Sequence, residues 1–194
     1  MEIGATKAVQ DRLKTTKIEE SKGASLVFCW DTHLTKIKGR NVLFIVNASN
    51  RYTIAMTDIE PRNWNYYTMY IRSVIHDVMQ EMGYSEDQIG QYFKMSGDIT
   101  VTKTHGRKSV GGINRMVMDA QYFGKKLEKE AKYQWELSEY LNRDICQPEG
   151  FDAYGYPSEL FKLDMERLGI AAKRELAKVI DFAQYMENNR GNND

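Results

Sequence analysis

Apolar positions recur along this chain with two periods, and the switch between them marks out its elements. Residues 1–4 read as a short strand, and Thr6 stands where it would cap a helix over Lys7–Leu13 with Ala8, Val9 and Leu13 inward. A polar stretch over 14–23 reads as a loop. Three β-rich runs follow, at 25–30, at 34–37 leading into 41–46, and at 51–57. The turn Gly-Arg-Asn at 39–41 joins one pair, and Asn-Ala-Ser-Asn at 47–50 joins the next. Short Gly/Asn turns between apolar runs are hairpin signals, so the spacing predicts an antiparallel meander that Pro61 ends.

Beyond Pro61 the period changes to that of a helix. Met69, Tyr70, Val74, Asp77, Val78 and Met82 define a helix over 66–82, with Gly83 as its stop. Ser85 should cap a shorter helix that runs to about Met95 and breaks at Gly97. The alternation Ile-Thr-Val-Thr-Lys within 98–103 predicts one more strand. From Arg107 the pattern is helical, with Ile113, Met116, Val117, Ala120 and Phe123 on one face. It continues through Leu127, Ala131, Trp135 and Leu141, as one helix or as two broken near Gly124. A loop over 147–157, two helices at 158–168 and 171–186, and a polar tail complete the chain. The expected fold class is α+β: a small antiparallel sheet packed with helices, helix 66–82 lying on its apolar face. The expected domains are an α+β head at 1–125 and a helical C-terminal extension at 126–194.

Composition narrows the possibilities. A chain of 194 residues fits one domain, or a domain with an appendage, and can bury a core without staples. The longest apolar run, 42–46, is strand-sized, and the N-terminus lacks the apolar segment of a signal peptide, so a cytoplasmic location is expected. Cys29 and Cys146 form no Cys-x-x-Cys pair and read as reduced thiols. Three histidines and two cysteines show no ligand spacing, so neither a metal nor another cofactor is expected. The net charge is zero but unevenly placed. Residues 1–129 carry 19 Lys/Arg against 14 Asp/Glu, and residues 130–194 carry 8 against 13. A basic front and an acidic back are compatible with a nucleic-acid or nucleoprotein partner, or with two solvated faces.

Several segments carry candidate chemistry. Around one hairpin stand Trp30, His33, Lys36, Lys38 and Arg40, and a strand would alternate the three cations to one face. Aromatics beside spaced cations suit single-stranded or structured RNA; the alternative is a solvated sheet face. Arg51 follows an amide-rich turn, and its planar fork suits phosphate or carboxylate. Lys103, Thr104, His105, Arg107 and Lys108 lie where a strand feeds a helix N-terminus, a natural anion site, although no P-loop pattern is present. His33 and His105 are the candidate catalytic pair, of the acid–base kind that metal-independent RNases use, while His76 reads as structural. In the extension, Phe151, Tyr154, Tyr156 and Phe161 either anchor a partner or pack the extension onto the head. Glu159, Asp164 and Glu166 complete the candidate partner-binding set.

The Trp30-x-x-His33-Leu-x-x-Ile-x-x-Arg40 run, the Asn47-x-x-Asn50-Arg51-Tyr52 turn, Lys103-Thr104-x-x-Arg107 and the helical Asn114 form a joint pattern. By it, residues 1 to about 125 resemble an uncharacterised bacterial family found on plasmids and other mobile elements of Gram-positive bacteria. Lys38-Gly39-Arg40 departs from the double-Arg turn frequent in that family. Similar domains stand at the N-terminus of several type II-A anti-CRISPR proteins, ahead of variable C-terminal parts. The resemblance implies a mobile-element inhibitor of a type II RNA-guided nuclease, binding the guide RNA, the nuclease, or both. Two alternatives stay open: a metal-independent RNase acting on guide RNA, and a plasmid regulator that binds nucleic acid.

Overall fold

The computed structural model describes residues 1–14 and 18–172. The helix expected over 171–186 and the polar tail fall, from residue 173 on, outside the described residues. The elements in chain order are β1 (Glu2–Ala5), α1 (Lys7–Leu13), a 3-10 turn (Leu26–Phe28), β2 (Cys29–Ile37), β3 (Arg40–Asn47) and β4 (Thr53–Thr57). Then come α2 (Pro61–Asn65), α3 (Tyr67–Glu81), α4 (Glu86–Ser96), β5 (Thr100–Thr102), α5 (Gly106–Gln121), α6 (Trp135–Asn142) and α7 (Pro157–Arg167). The class is α+β.

The five strands form one sheet in the order β4-β3-β2-β1-β5. The meander is antiparallel as expected, with β2 pairing β3 and β3 pairing β4. Its β2–β3 turn is the two residues Lys38 and Gly39, at φ 49° and 83°, the left-handed pair that matches strand twist in a tight hairpin. The sheet as a whole is mixed, which corrects the antiparallel expectation. β1 enters between β2 and β5 and runs parallel to both. A connection carrying α1 leads from β1 to β2 and one carrying α2–α4 leads from β4 to β5, and crossovers of that length make parallel pairing reachable. A second correction concerns the runs at 25–30 and 34–37: 26–28 is a 3-10 turn, and one continuous strand covers 29–37.

Helices cover both faces. On one, Ile3, Trp30, Leu43, Ile45, Ile54 and Met56 pack against Ile71, Val74, Ile75 and Val78 of α3, Tyr92 and Phe93 of α4, and Phe161 and Met165 of α7. On the other, Ile37, Val42, Phe44, Val46 and Ala55 meet Ile113, Met116 and Ala120 of α5 and Leu137 and Leu141 of α6. The described part of the extension is thus built into the sheet's own cores. It also covers the edge of β4. Asn142 accepts from the Thr53 N–H at 2.8 Å and donates to the Thr53 carbonyl at 2.8 Å. The Ser138 hydroxyl accepts from the Ala55 N–H at 2.9 Å, and the Gln134 N–H donates to the Ala55 carbonyl at 2.9 Å. Side chains of α6 and the backbone N–H just ahead of it thereby satisfy an edge that would otherwise invite another strand.

Of the two expected alternatives the broken pair of helices holds, but the period past Phe123 becomes helix only from Trp135, after an irregular segment over 122–134. α5 stops at Gln121 and α6 starts at Trp135. Between them, the Lys38 ammonium bonds the carbonyls of Phe123 and Lys125, and the Arg40 guanidinium bonds those of Glu128 and Lys129. Side-chain donors from the hairpin take carbonyls that helical N–H groups would have needed. Leu127 reaches the core from this irregular segment.

Candidate functional site

The least expected arrangement is a buried polar cluster beneath α5. Parallel register sets Glu2 beside Cys29 and Gly4 beside Asp31, so Glu2, Cys29 and Asp31 leave the same face of two adjacent strands. His105, between β5 and α5, closes the group. Its Nδ1 lies 2.7 Å from Asp31 Oδ1 and its Nε2 3.0 Å from Glu2 Oε2. The side chains of His105, Glu2 and Asp31 are 3%, 4% and 0% exposed. Asp31 also accepts from the His105 N–H and from the Ser109 hydroxyl. Glu2 accepts from the Ser21 hydroxyl at 2.6 Å and the Lys22 N–H at 2.8 Å. A Cβ on Gly4 would come 1.8 Å from Asp31 Oδ1, so glycine is what lets that carboxylate approach β1.

Electrostatics keep His105 charged. Burial pulls its pKa down, but the hydrogen bond and charge of Asp31, joined by Cys29, outweigh it and leave it pushed up to about 10. Burial raises Glu2, yet bonds from Ser21, Lys22 and His105 hold it below its ordinary value. The stability from His105 is fully present below its unfolded value of 6.5 and is lost as pH rises towards 10. That from Glu2 is present above 4.5 and is lost as pH falls. The stabilisation from this pair should therefore be greatest between about pH 4.5 and 6.5 and fall as pH rises towards 10, as thermal midpoints across a pH series would show. A midpoint rising steadily from pH 7 to 10 would contradict this.

The group is not a serine–histidine–acid relay, because Ser109 donates to the carboxylate and not to the imidazole. The two expected catalytic histidines have different partners. His105 bridges buried acids, whereas His33 is half-buried, lies 3.2 Å from Thr6 Oγ1, and is held below its ordinary pKa by burial. Trp30 is fully buried, its indole N–H donating to the Tyr92 hydroxyl at 2.9 Å, and offers no stacking surface.

The expected cations do not share a face. Lys36 is exposed on the α3 side of β2, Lys38 sits in the turn, and Arg40 pairs with Ile37, which faces α5. Arg40 also bonds the Asp58 carboxylate. Arg51, at φ 62°, donates to the Gly112 carbonyl at 2.8 Å; Lys108 donates to the Pro148 carbonyl at 3.1 Å; Lys103 pairs with Glu20. Thr104 is half-buried and Arg107 exposed at the start of α5. In the extension, Tyr154 and Tyr156 are exposed, while Phe151 is buried under the Arg167 guanidinium, 3.9 Å from its ring centroid. Asp164 is buried and accepts from the Asn50 amide at 2.9 Å, its pKa pushed up by burial. Glu159 pairs with Lys162 at 3.0 Å, and Glu166 is half-buried on α7.

One accessible arrangement combines cations with an aromatic face. A cleft of about 260 Å³ opens between α1, α2 and the far end of the meander, lined by Arg12, Leu34, Arg40, Asn41, Asp58 and Trp64, with Ile59 beside them. The Arg12 guanidinium lies 5.5 Å from the Trp64 ring, which itself stacks on Tyr67 at 5.8 Å and 4°. Lys36 faces Asn41 in register and extends the basic rim. Neither Arg12 nor Trp64 stood out in the sequence, because they come from separate elements far apart in the chain.

Among the described residues, no helix is long and apolar enough to cross a membrane. Comparison with curated proteins and with solved structures gives no match. Residues 2–160 match the family described as a domain of unknown function (DUF6933), a span that crosses both sheet cores and the buried cluster, and the chain belongs to that family.

Proposed function

We propose that this protein binds single-stranded RNA without cutting it, and thereby blocks a type II RNA-guided nuclease in the cytoplasm of a bacterial host. The observation that carries the RNA reading is the Arg12–Trp64–Arg40 cleft. A base can take the place of the Arg12 guanidinium over the Trp64 indole and free that guanidinium to pair with phosphate, while Asn41 offers a donor and an acceptor, and Asp58 an acceptor, to a base edge. The basic balance of residues 1–129 favours the same ligand. The nuclease as target rests on the resemblance of residues 1–125 to anti-CRISPR N-terminal domains. The acidic extension would complement a nuclease's positively charged nucleic-acid channel.

Catalysis is the second reading, and His33 is what favours it. It is half-buried at the carboxyl end of β1, and burial leaves it neutral at physiological pH, as a general base requires. One assay separates the readings: guide RNA incubated with the protein, with and without the nuclease and a chelator. Intact RNA with lost DNA cleavage is the expected result. Shortened RNA would replace the binder by a ribonuclease. Intact RNA with normal DNA cleavage would leave a nucleic-acid-binding regulator.

A further inference from the structure

The buried cluster beneath α5 contains the ligand set of a transition-metal site. Glu2, Cys29 and His105 each offer one ligand atom, and these atoms lie within 4.8 Å of one another. His105 Nε2 and Glu2 Oε2 are already 3.0 Å apart. Ligands placed at zinc distances around a tetrahedron sit roughly 3.3–3.7 Å from each other, so the His105–Glu2 pair needs to open by only a few tenths of an ångström, and the Cys29 sulfur closes in from within 4.8 Å. A second, independent feature points the same way. Asp31 holds His105 Nδ1 at 2.7 Å and is itself fixed by the His105 N–H and the Ser109 hydroxyl. A carboxylate on one imidazole nitrogen sets the tautomer that turns the other nitrogen towards a metal. The scaffold is rigid, because Glu2 and Cys29 are register partners on neighbouring strands.

We propose that Glu2, Cys29 and His105 bind one zinc ion, with Asp31 as the positioning carboxylate. The mixture of one thiolate, one imidazole and one carboxylate selects zinc over magnesium or calcium, which take oxygen ligands. Binding displaces two protons: the Cys29 thiol proton, which now points at the Ser25 carbonyl 3.4 Å away, and the proton on His105 Nε2. Nδ1–H stays on Asp31. The two positive charges of the ion meet the Glu2 carboxylate and the Cys29 thiolate. Three protein ligands leave the fourth position to a water molecule. With its ligands buried, the ion joins β1, β2 and the start of α5.

Titration of the metal-free protein with cobalt(II) tests this directly. One equivalent should saturate, giving a sulfur-to-cobalt charge-transfer band and the visible bands of a tetrahedral ion. Zinc should abolish both and raise the thermal midpoint of the protein. Cys29→Ser should remove the charge-transfer band, Cys146→Ser should keep it, and Asp31→Asn should weaken zinc binding by about 10–100-fold. The wild-type titration needs no variant to fold. A folded wild-type protein with no saturable uptake and no sulfur band would overturn the proposal, as would a band lost in Cys146→Ser and kept in Cys29→Ser.

Discussion

Replacing Asp31 with alanine is expected to lower the free energy of unfolding by about 3–5 kcal/mol, the range for breaking a buried charge pair from one side. The carboxylate is fully buried and receives the His105 Nδ1–H, the His105 N–H and the Ser109 hydroxyl. Its removal leaves a buried imidazolium with Glu2 alone and two further donors without an acceptor. Each orphaned donor adds a desolvation penalty. Gly4→Ala should act on the same carboxylate, because the new Cβ would occupy the position of Asp31 Oδ1. Urea unfolding of the three proteins measures both effects. A loss below about 1 kcal/mol for Asp31→Ala would mean that the cluster is solvated in solution.

Phe161→Ala should destabilise by a similar amount, about 3–5 kcal/mol, as truncations of buried aromatic rings do. Phe161 is 1% exposed, and its ring centroid lies 6.1, 5.2 and 6.1 Å from those of Trp30, Tyr52 and Tyr84. It therefore joins α7 to β2, to the β3–β4 turn and to the α3–α4 turn at once. Met165 and Ile170 bury against the same core. The 1–144 fragment, which lacks all three, should accordingly lose cooperative folding, because a third side of that core would face water. Circular dichroism and size exclusion on the fragment decide the point. A soluble fragment with a sharp thermal transition would restore an independent head.

Local structure was legible wherever a single residue type forces a backbone. Gly39 in the hairpin turn, Gly83 after α3, and Ser85, whose hydroxyl accepts from the Gln88 N–H at 3.3 Å, all stand where turn and cap chemistry put them. What the sequence hid is non-local. β1 has four residues and no alternation long enough to reveal that it is the central parallel strand. Nothing in the sequence singles out Asp31 or Glu2, because their partner His105 is 74 and 103 residues away. Trp30 beside cations looked like a stacking platform, yet strand alternation points it with Leu34 into the α3–α4 core. Lys38 and Arg40 were legible as cations but not as staples, since the carbonyls they hold belong to a segment with a helical period. The cleft was illegible for the same reason: Arg12, Arg40 and Trp64 come from three separated elements.

The proposed stacking of a base on Trp64 is tested most directly by fluorescence anisotropy of a labelled guide-RNA segment titrated with wild-type protein and with Trp64→Ala. Base–aromatic stacking contributes about 1–3 kcal/mol per base, so the variant should bind roughly 5- to 150-fold more weakly while its circular dichroism is unchanged. A folded Trp64→Ala protein with wild-type affinity, or a wild-type protein that does not bind the RNA, would contradict the account.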